Sequence, residues 1–119
     1  MNGVITILAA DKEMDMGGLP PEAEYLLLKD GGKTLGQIGY CVEGESAKLL
    51  YLDAPSPVFG EALVRAVLHA AELRGAKYAY CEEEDVAPLL QALGFVCMDG
   101  RYILSILEFF SRPCHGNNK

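Results

Sequence analysis

From Val4 to Asp53 the chain alternates short apolar, β-branched runs with turn-forming residues. Val4-Ile5-Thr6-Ile7-Leu8-Ala9-Ala10 predicts a strand. The stretch 11–22 holds Gly17, Gly18, Pro20 and Pro21 and predicts a loop. Residues 24–29, 34–42 and 48–53 predict three more strands, joined by Asp30-Gly31-Gly32 and Gly44-Glu45-Ser46. Four strands on short connections make an antiparallel meander.

The period changes at Ser56. Ser56 suits a helix N-cap, and Pro57 suits the first helical position, where its missing N–H would have no partner anyway. As far as Arg74 the polar residues are Glu61, Arg65, His69 and Glu72, a narrow stripe at three- and four-residue spacing. The rest of the circumference is apolar, which predicts a helix buried over most of its surface. Gly75 closes it. Residues 77–82 predict a strand with Tyr78, Tyr80 and Glu82 on one face and Ala79 and Cys81 on the other. Residues 85–93 predict a short helix with Pro88 in its first turn and Gly94 at its end. Residues 95–98 and 101–110 predict two strands around the hairpin signal Asp99-Gly100. The last segment, with Tyr102-Ile103-Leu104-Ser105-Ile106-Leu107, is apolar at nearly every position and predicts burial of both faces.

The order β-β-β-β-α-β-α-β-β is that of an α+β domain. Its one strand–helix–strand unit should be a right-handed crossover, giving a mostly antiparallel sheet with one central parallel pair. The domain is expected over residues 1–112, with 113–119 a disordered tail.

A chain of 119 residues with half its residues hydrophobic holds one core. Ten basic against seventeen acidic residues leave a net charge of -7. That balance lacks the basic footprint of a nucleic-acid binder and suits a cationic substrate such as an amine. No apolar run is long enough to span a membrane, and no basic region precedes 4–10, so a cytoplasmic protein is expected. Cys41, Cys81, Cys97 and Cys114 show no C-x-x-C spacing, and the first three lie in apolar runs, which predicts buried thiols. The acids Glu82-Glu83-Glu84-Asp85 splay to different sides, so no metal is expected.

Three stretches, in this order, resemble the GNAT superfamily of acyl-CoA-dependent N-acyltransferases. They are Leu49-Leu50-Tyr51-Leu52-Asp53, Gly60-Glu61-Ala62-Leu63 and Leu89-Leu90-Gln91-Ala92-Leu93-Gly94-Phe95, and the likeness covers residues 34–95. The resemblance implies acetyl-CoA as a substrate and an amine, on a small molecule or a protein, as acceptor. It implies that the pantetheine arm pairs near Leu52 and Asp53 and that the pyrophosphate meets Ser56, Val58, Phe59 and Gly60. It places Tyr80 as an acid and Glu82 as a base acting through water. Each has a plainer reading, as strand packing for Tyr80 and Glu82 and as an ordinary helix cap for Ser56–Gly60.

The chain departs from the family pattern in three places. Only the stretch 11–23 is available where the family has two helices after the first strand. In the family's Q/R-x-x-G-x-G/A loop, with Gly60 as the last glycine, Pro55 holds the Q/R place and Val58 the first glycine place. The tyrosine that protonates the departing thiolate is replaced by Leu90. Two functions remain open on this reading. One is an N-acetyltransferase with weakened motifs. The other is an inactive module that binds a protein partner or an acyl-CoA without turnover. The uncovered sheet face predicts a homo-oligomer.

Overall fold

The computed structural model describes residues 5–9 and 23–111. Seven strands are β1 (Ile5–Ala9), β2 (Glu24–Asp30), β3 (Lys33–Glu43), β4 (Ser46–Asp53), β5 (Tyr78–Cys81), β6 (Val96–Met98) and β7 (Arg101–Ser105). They form one sheet in the order β1-β2-β3-β4-β5-β7-β6. The helices are α1 (Pro57–Leu73), α2 (Ala87–Leu93) and α3 (Ile106–Ser111), with a single 3-10 turn at Glu84–Val86. The expected loop 11–22 and tail 113–119 lie outside the described residues.

β4 and β5 are the one parallel pair, and α1 carries the chain between them. All other pairings are antiparallel. The hairpin between β6 and β7 turns at Asp99 and Gly100, with φ of 54° and 81°. Both values are left-handed, as a type I′ turn requires.

Alternation along β5 decides the layers. Ala79 and Cys81 are buried, while Tyr78 is exposed and Tyr80 half-buried. The buried face joins Ile38, Tyr40, Ala47, Leu49 and Leu104 with Leu63, Val64, Val67, Leu68 and Ala71 of α1, Leu90 and Leu93 of α2, and Ile106 of α3. One core therefore lies between one sheet face and the three helices. Six of the seventeen residues of α1 are buried in it, so the helix buries one stripe and not, as expected, most of its surface; the apolar Val58 and Leu73 at its ends are exposed.

The predicted strand over 101–110 is corrected. β7 stops at Ser105, and the chain turns into α3. The reason is a helix-start signal inside the apolar run. Ser105 Oγ accepts from the Glu108 N–H at 3.3 Å, the serine half of an S-x-x-E capping pattern. The Ile106 N–H donates to the Lys77 carbonyl at 2.9 Å and fixes where α3 leaves the sheet. Ile106 and Phe109, one turn apart, face the core, and Leu107 is 68% exposed. Burial of both faces thus fails at Leu107. Cys97 corrects a second expectation. Cys41 and Cys81 are buried, but Cys97 is exposed because it lies on the edge strand β6 beside Val96 and Met98, which are exposed too. Among the described residues no helix is long and apolar enough to cross a membrane.

The C-terminal end of α1 is tied to β2. Arg74 donates to both carboxylate oxygens of Glu24, at 2.8 Å to Oε1 and 2.6 Å to Oε2. Beneath them lies Tyr40, 3% exposed. Its burial, and next the Glu24 carboxylate, raise the phenol above its ordinary value of 10.0. A raised native value favours the protonated phenol in the folded state. Its contribution to stability is therefore complete below pH 10 and lost as pH rises through the native value. Denaturation midpoints measured across alkaline pH should fall, and Tyr40→Phe should flatten that fall. An unchanged slope in the variant would assign the alkaline loss elsewhere, first to Tyr102, whose phenol is also raised by desolvation.

Candidate functional site

β4 carries one residue more than β3 opposite it. Gly39 pairs with Tyr51 and Tyr40 with Leu49, which leaves Leu50 as a bulge. β5 pairs with β4 only from Ser46 to Leu49 and ends at Cys81. From Leu50 to Asp53, β4 therefore has β3 on one side and, among the described residues, no strand on the other. The two parallel strands part at their C-terminal ends, beside the start of α1.

The gap between the end of β4, the first turn of α1 and α2 is a groove of about 620 Å³. Leu52, Ala54, Pro55, Ser56, Val58 and Gly60 line it from β4 and α1. Val86, Pro88, Leu89 and Ala92 line it from the facing side, and Glu61 and Asp85 add two carboxylates. Among the described residues no lysine or arginine lines it. Gly60 is buried where α1 meets α2, and a Cβ there would lie 2.9 Å from Leu89 Cδ2. A side chain at this position would require Leu89, whose side chain lines the groove, to shift.

The first turn of α1 offers few free donors. Ser56, in extended backbone with φ -155° and ψ 162°, caps the helix. Its Oγ accepts from the Phe59 N–H at 3.4 Å, and its carbonyl accepts from the Gly60 N–H at 2.9 Å. Pro57 has no N–H. A pyrophosphate at Val58, Phe59 and Gly60 would need outward amides at all three. Two of the three are engaged by Ser56, and the Val58 amide remains. The Val58 side chain is 73% exposed.

No family model matches the sequence, and no curated protein matches it. Solved structures do match. A chain described as an acetyltransferase of the GNAT family, from Desulfovibrio desulfuricans, aligns with TM-score 0.63 at 16% identity, over 71% of this chain and 69% of that one. The IAA acetyltransferase from Bacillus cereus ATCC 14579 aligns at 0.67 and 12% identity, over 86% and 99%. A mutant AtaT toxin bound to the C-terminus of the antitoxin AtaR aligns at 0.70 and 14% identity, over 96% and 99%. The chain has the GNAT fold.

On the GNAT fold the residues expected to act fall in two places. Leu52, Ser56, Val58 and Gly60 meet in the groove. Asp53 is exposed at the end of β4, and Phe59 is half-buried against the core, so neither lines it. Tyr80 and Glu82 lie on the opposite face of the sheet from α1. There the Lys48 Nζ is 3.2 Å from Glu82 Oε1, and the Arg101 Nη2 is 3.6 Å from Glu82 Oε2. Both cations also approach the Tyr80 ring, at 5.8 Å for Lys48 and 5.1 Å for Arg101. The hydrogen bond to Glu82 raises the Lys48 ammonium above its ordinary value. This cluster joins β4, β5 and β7 across the sheet face away from α1. Before acting as a base, the Glu82 carboxylate would have to release two cations.

Lys48 and Arg101 escaped the sequence reading because both are register neighbours of β5. Lys48 pairs with Tyr80, and Arg101 lies on β7, which pairs with β5 through Tyr102 and Cys81. Nothing in the local sequence marks them. Leu90, at the place of the family's tyrosine, is fully buried. Among the described residues no three of His, Cys, Asp and Glu gather as metal ligands.

The groove thus joins apolar walls and an edge of β4 that carries no strand among the described residues to one free amide, at Val58, and two carboxylates, Glu61 and Asp85.

Proposed function

We propose that this protein is an N-acyltransferase that moves an acyl group from acyl-CoA to an amine, with weak hold on the donor. The observation that carries this reading is the parting of β4 and β5 beside the first turn of α1. It leaves backbone N–H and C=O groups of residues 50–53 with no strand on one side among the described residues, and a thioester's amide arm can pair with them. Leu52 and Leu89 would flank that arm, and the Val58 N–H would meet the nearest phosphate. A bound acyl-CoA supplies the activated carbonyl that the amine attacks. In support, a structure of the AtaT toxin complex that also holds acetyl-CoA aligns with this chain at TM-score 0.66.

The second reading is a binding module of the same fold without turnover. It is favoured by the buried Leu90, which leaves no phenol at the family's acid position.

Calorimetry with acetyl-CoA, paired with thiol release in the presence of amines, separates the two. Val58→Gly should bind acetyl-CoA more tightly, because glycine lets the phosphate approach the amide. Each charge-assisted hydrogen bond gained is worth roughly 1.5–3 kcal/mol, about ten- to a hundredfold in Kd. If neither protein gives heat at millimolar acetyl-CoA, the transferase reading falls. Heat without thiol release leaves the module.

A further inference from the structure

We propose that β6 is an interface, pairing antiparallel with β6 of a second copy of this chain and joining two seven-stranded sheets into one. This goes beyond the acyl-transfer reading and does not depend on it, since no residue lining the groove lies on β6.

β6 ends the sheet, with β7 on one side and, among the described residues, no strand on the other. Edge strands usually carry a lysine, a proline or a bulge that discourages further pairing. Val96-Cys97-Met98 has none of these, and its short length is its one protection. All three side chains are exposed, Val96 at 58% and Met98 at 54%. The hairpin decides which backbone groups face outward. Met98 and Arg101 flank the two-residue turn, so their N–H and C=O groups bond to each other. Alternation then points the Cys97 N–H and C=O away from β7. A two-fold axis beside Cys97 lets each Cys97 N–H donate to the Cys97 carbonyl of the other copy. In that register Val96 stands opposite Met98 of the second copy, twice. Val96 pairs with Ile103 and Ile103 with Tyr80, so this row runs across the face away from α1 and continues into the second copy. β6 bears no charge, so covering it strands none. The partner is a second copy because one outward donor and acceptor, with an apolar residue on each side, read the same from both directions.

Sedimentation of the full chain should show a dimer. Its dissociation constant should rise about tenfold or more in Val96→Lys, because the lysine enters the interface twice. Val96 is exposed, so the variant should keep the parent's far-UV spectrum. Leu73→Lys is the control, at an apolar residue 74% exposed on the end of α1, and should leave the constant unchanged. Added salt should tighten the dimer, since each copy carries a net charge of -7 and no ion pair holds the edge. A short bismaleimide gives a second measurement that needs no oxidant. With Cys114, outside the described residues, replaced by serine, it should link two copies through Cys97. The link should be lost in Val96→Lys at the same concentration.

A monomer at millimolar concentration overturns the proposal. So does a dimer that Leu73→Lys dissociates and Val96→Lys does not, a dimer loosened by salt, or one that yields no link through Cys97.

Discussion

Gly36→Ala is expected to destabilise the protein by about 1–3 kcal/mol, the usual cost of forcing a side-chain atom into a packed site. Gly36 lies on β3 beneath the turn that leads from β4 into α1. A Cβ there would stand 2.8 Å from the Asp53 carbonyl oxygen, 3.3 Å from the Ala54 Cα and 3.4 Å from Leu63 Cδ1. Two of these three neighbours are backbone atoms and cannot swing aside. Relief requires the end of β4 to move off the sheet, and that end is one wall of the groove. At Gly32, four residues earlier, a Cβ would meet nothing within 4 Å, and the backbone has no left-handed φ. Gly32→Ala should therefore stay within about 0.5 kcal/mol of the parent. Denaturant midpoints of the two variants check this. Equal losses at both sites would mean that the close approach at Gly36 is not what requires glycine.

Leu90→Tyr should cost more, roughly 2–5 kcal/mol, and should not raise acyltransferase activity. The position looks like the family's acid, which makes the substitution an obvious repair. But Leu90 is fully buried, and its carbonyl accepts the Phe95 N–H at 3.0 Å where α2 ends. A tyrosine there adds volume to a filled core and a hydroxyl with no partner, and both effects destabilise. Leu89, the preceding residue, lines the groove. Leu89→Tyr should be the milder change, because its hydroxyl can reach water. Thermal unfolding of the pair tests this ordering. A Leu90→Tyr protein as stable as Leu89→Tyr would show that the helix can rotate to expose either residue.

The sequence was most informative where one local rule governed a whole element. The serine and proline opening α1, the stripe Glu61–Arg65–His69–Glu72 and the Asp99-Gly100 turn each have a period or a backbone demand that neighbours do not override. Reading failed at Ser105, where an apolar run continues past a capping serine. Composition favours a strand there, and a single hydrogen bond from the Glu108 amide to the serine hydroxyl starts a helix instead. Cys97 misled for a different reason. Its run looks buried, but edge position is a property of sheet order and not of the run. The site was half legible. Ser56 and Gly60 could be placed because they open a helix. The cations around Glu82 could not, because they meet it only through the strand register.

The bulge at Leu50 also explains why leucines three apart, Leu49 and Leu52, lie on the same side of one strand. Remove one residue from this stretch and simple alternation returns. Leu52 would keep facing α1 and Tyr51 the other face, where its hydroxyl accepts from the Gln37 side-chain amide at 3.3 Å. What changes is the strand's path: β4 would be free to run straight alongside β5, closing the edge it now leaves open. Length in this segment is thus under tighter constraint than identity: several apolar residues would serve at position 50, but a strand shortened by one would have no opening.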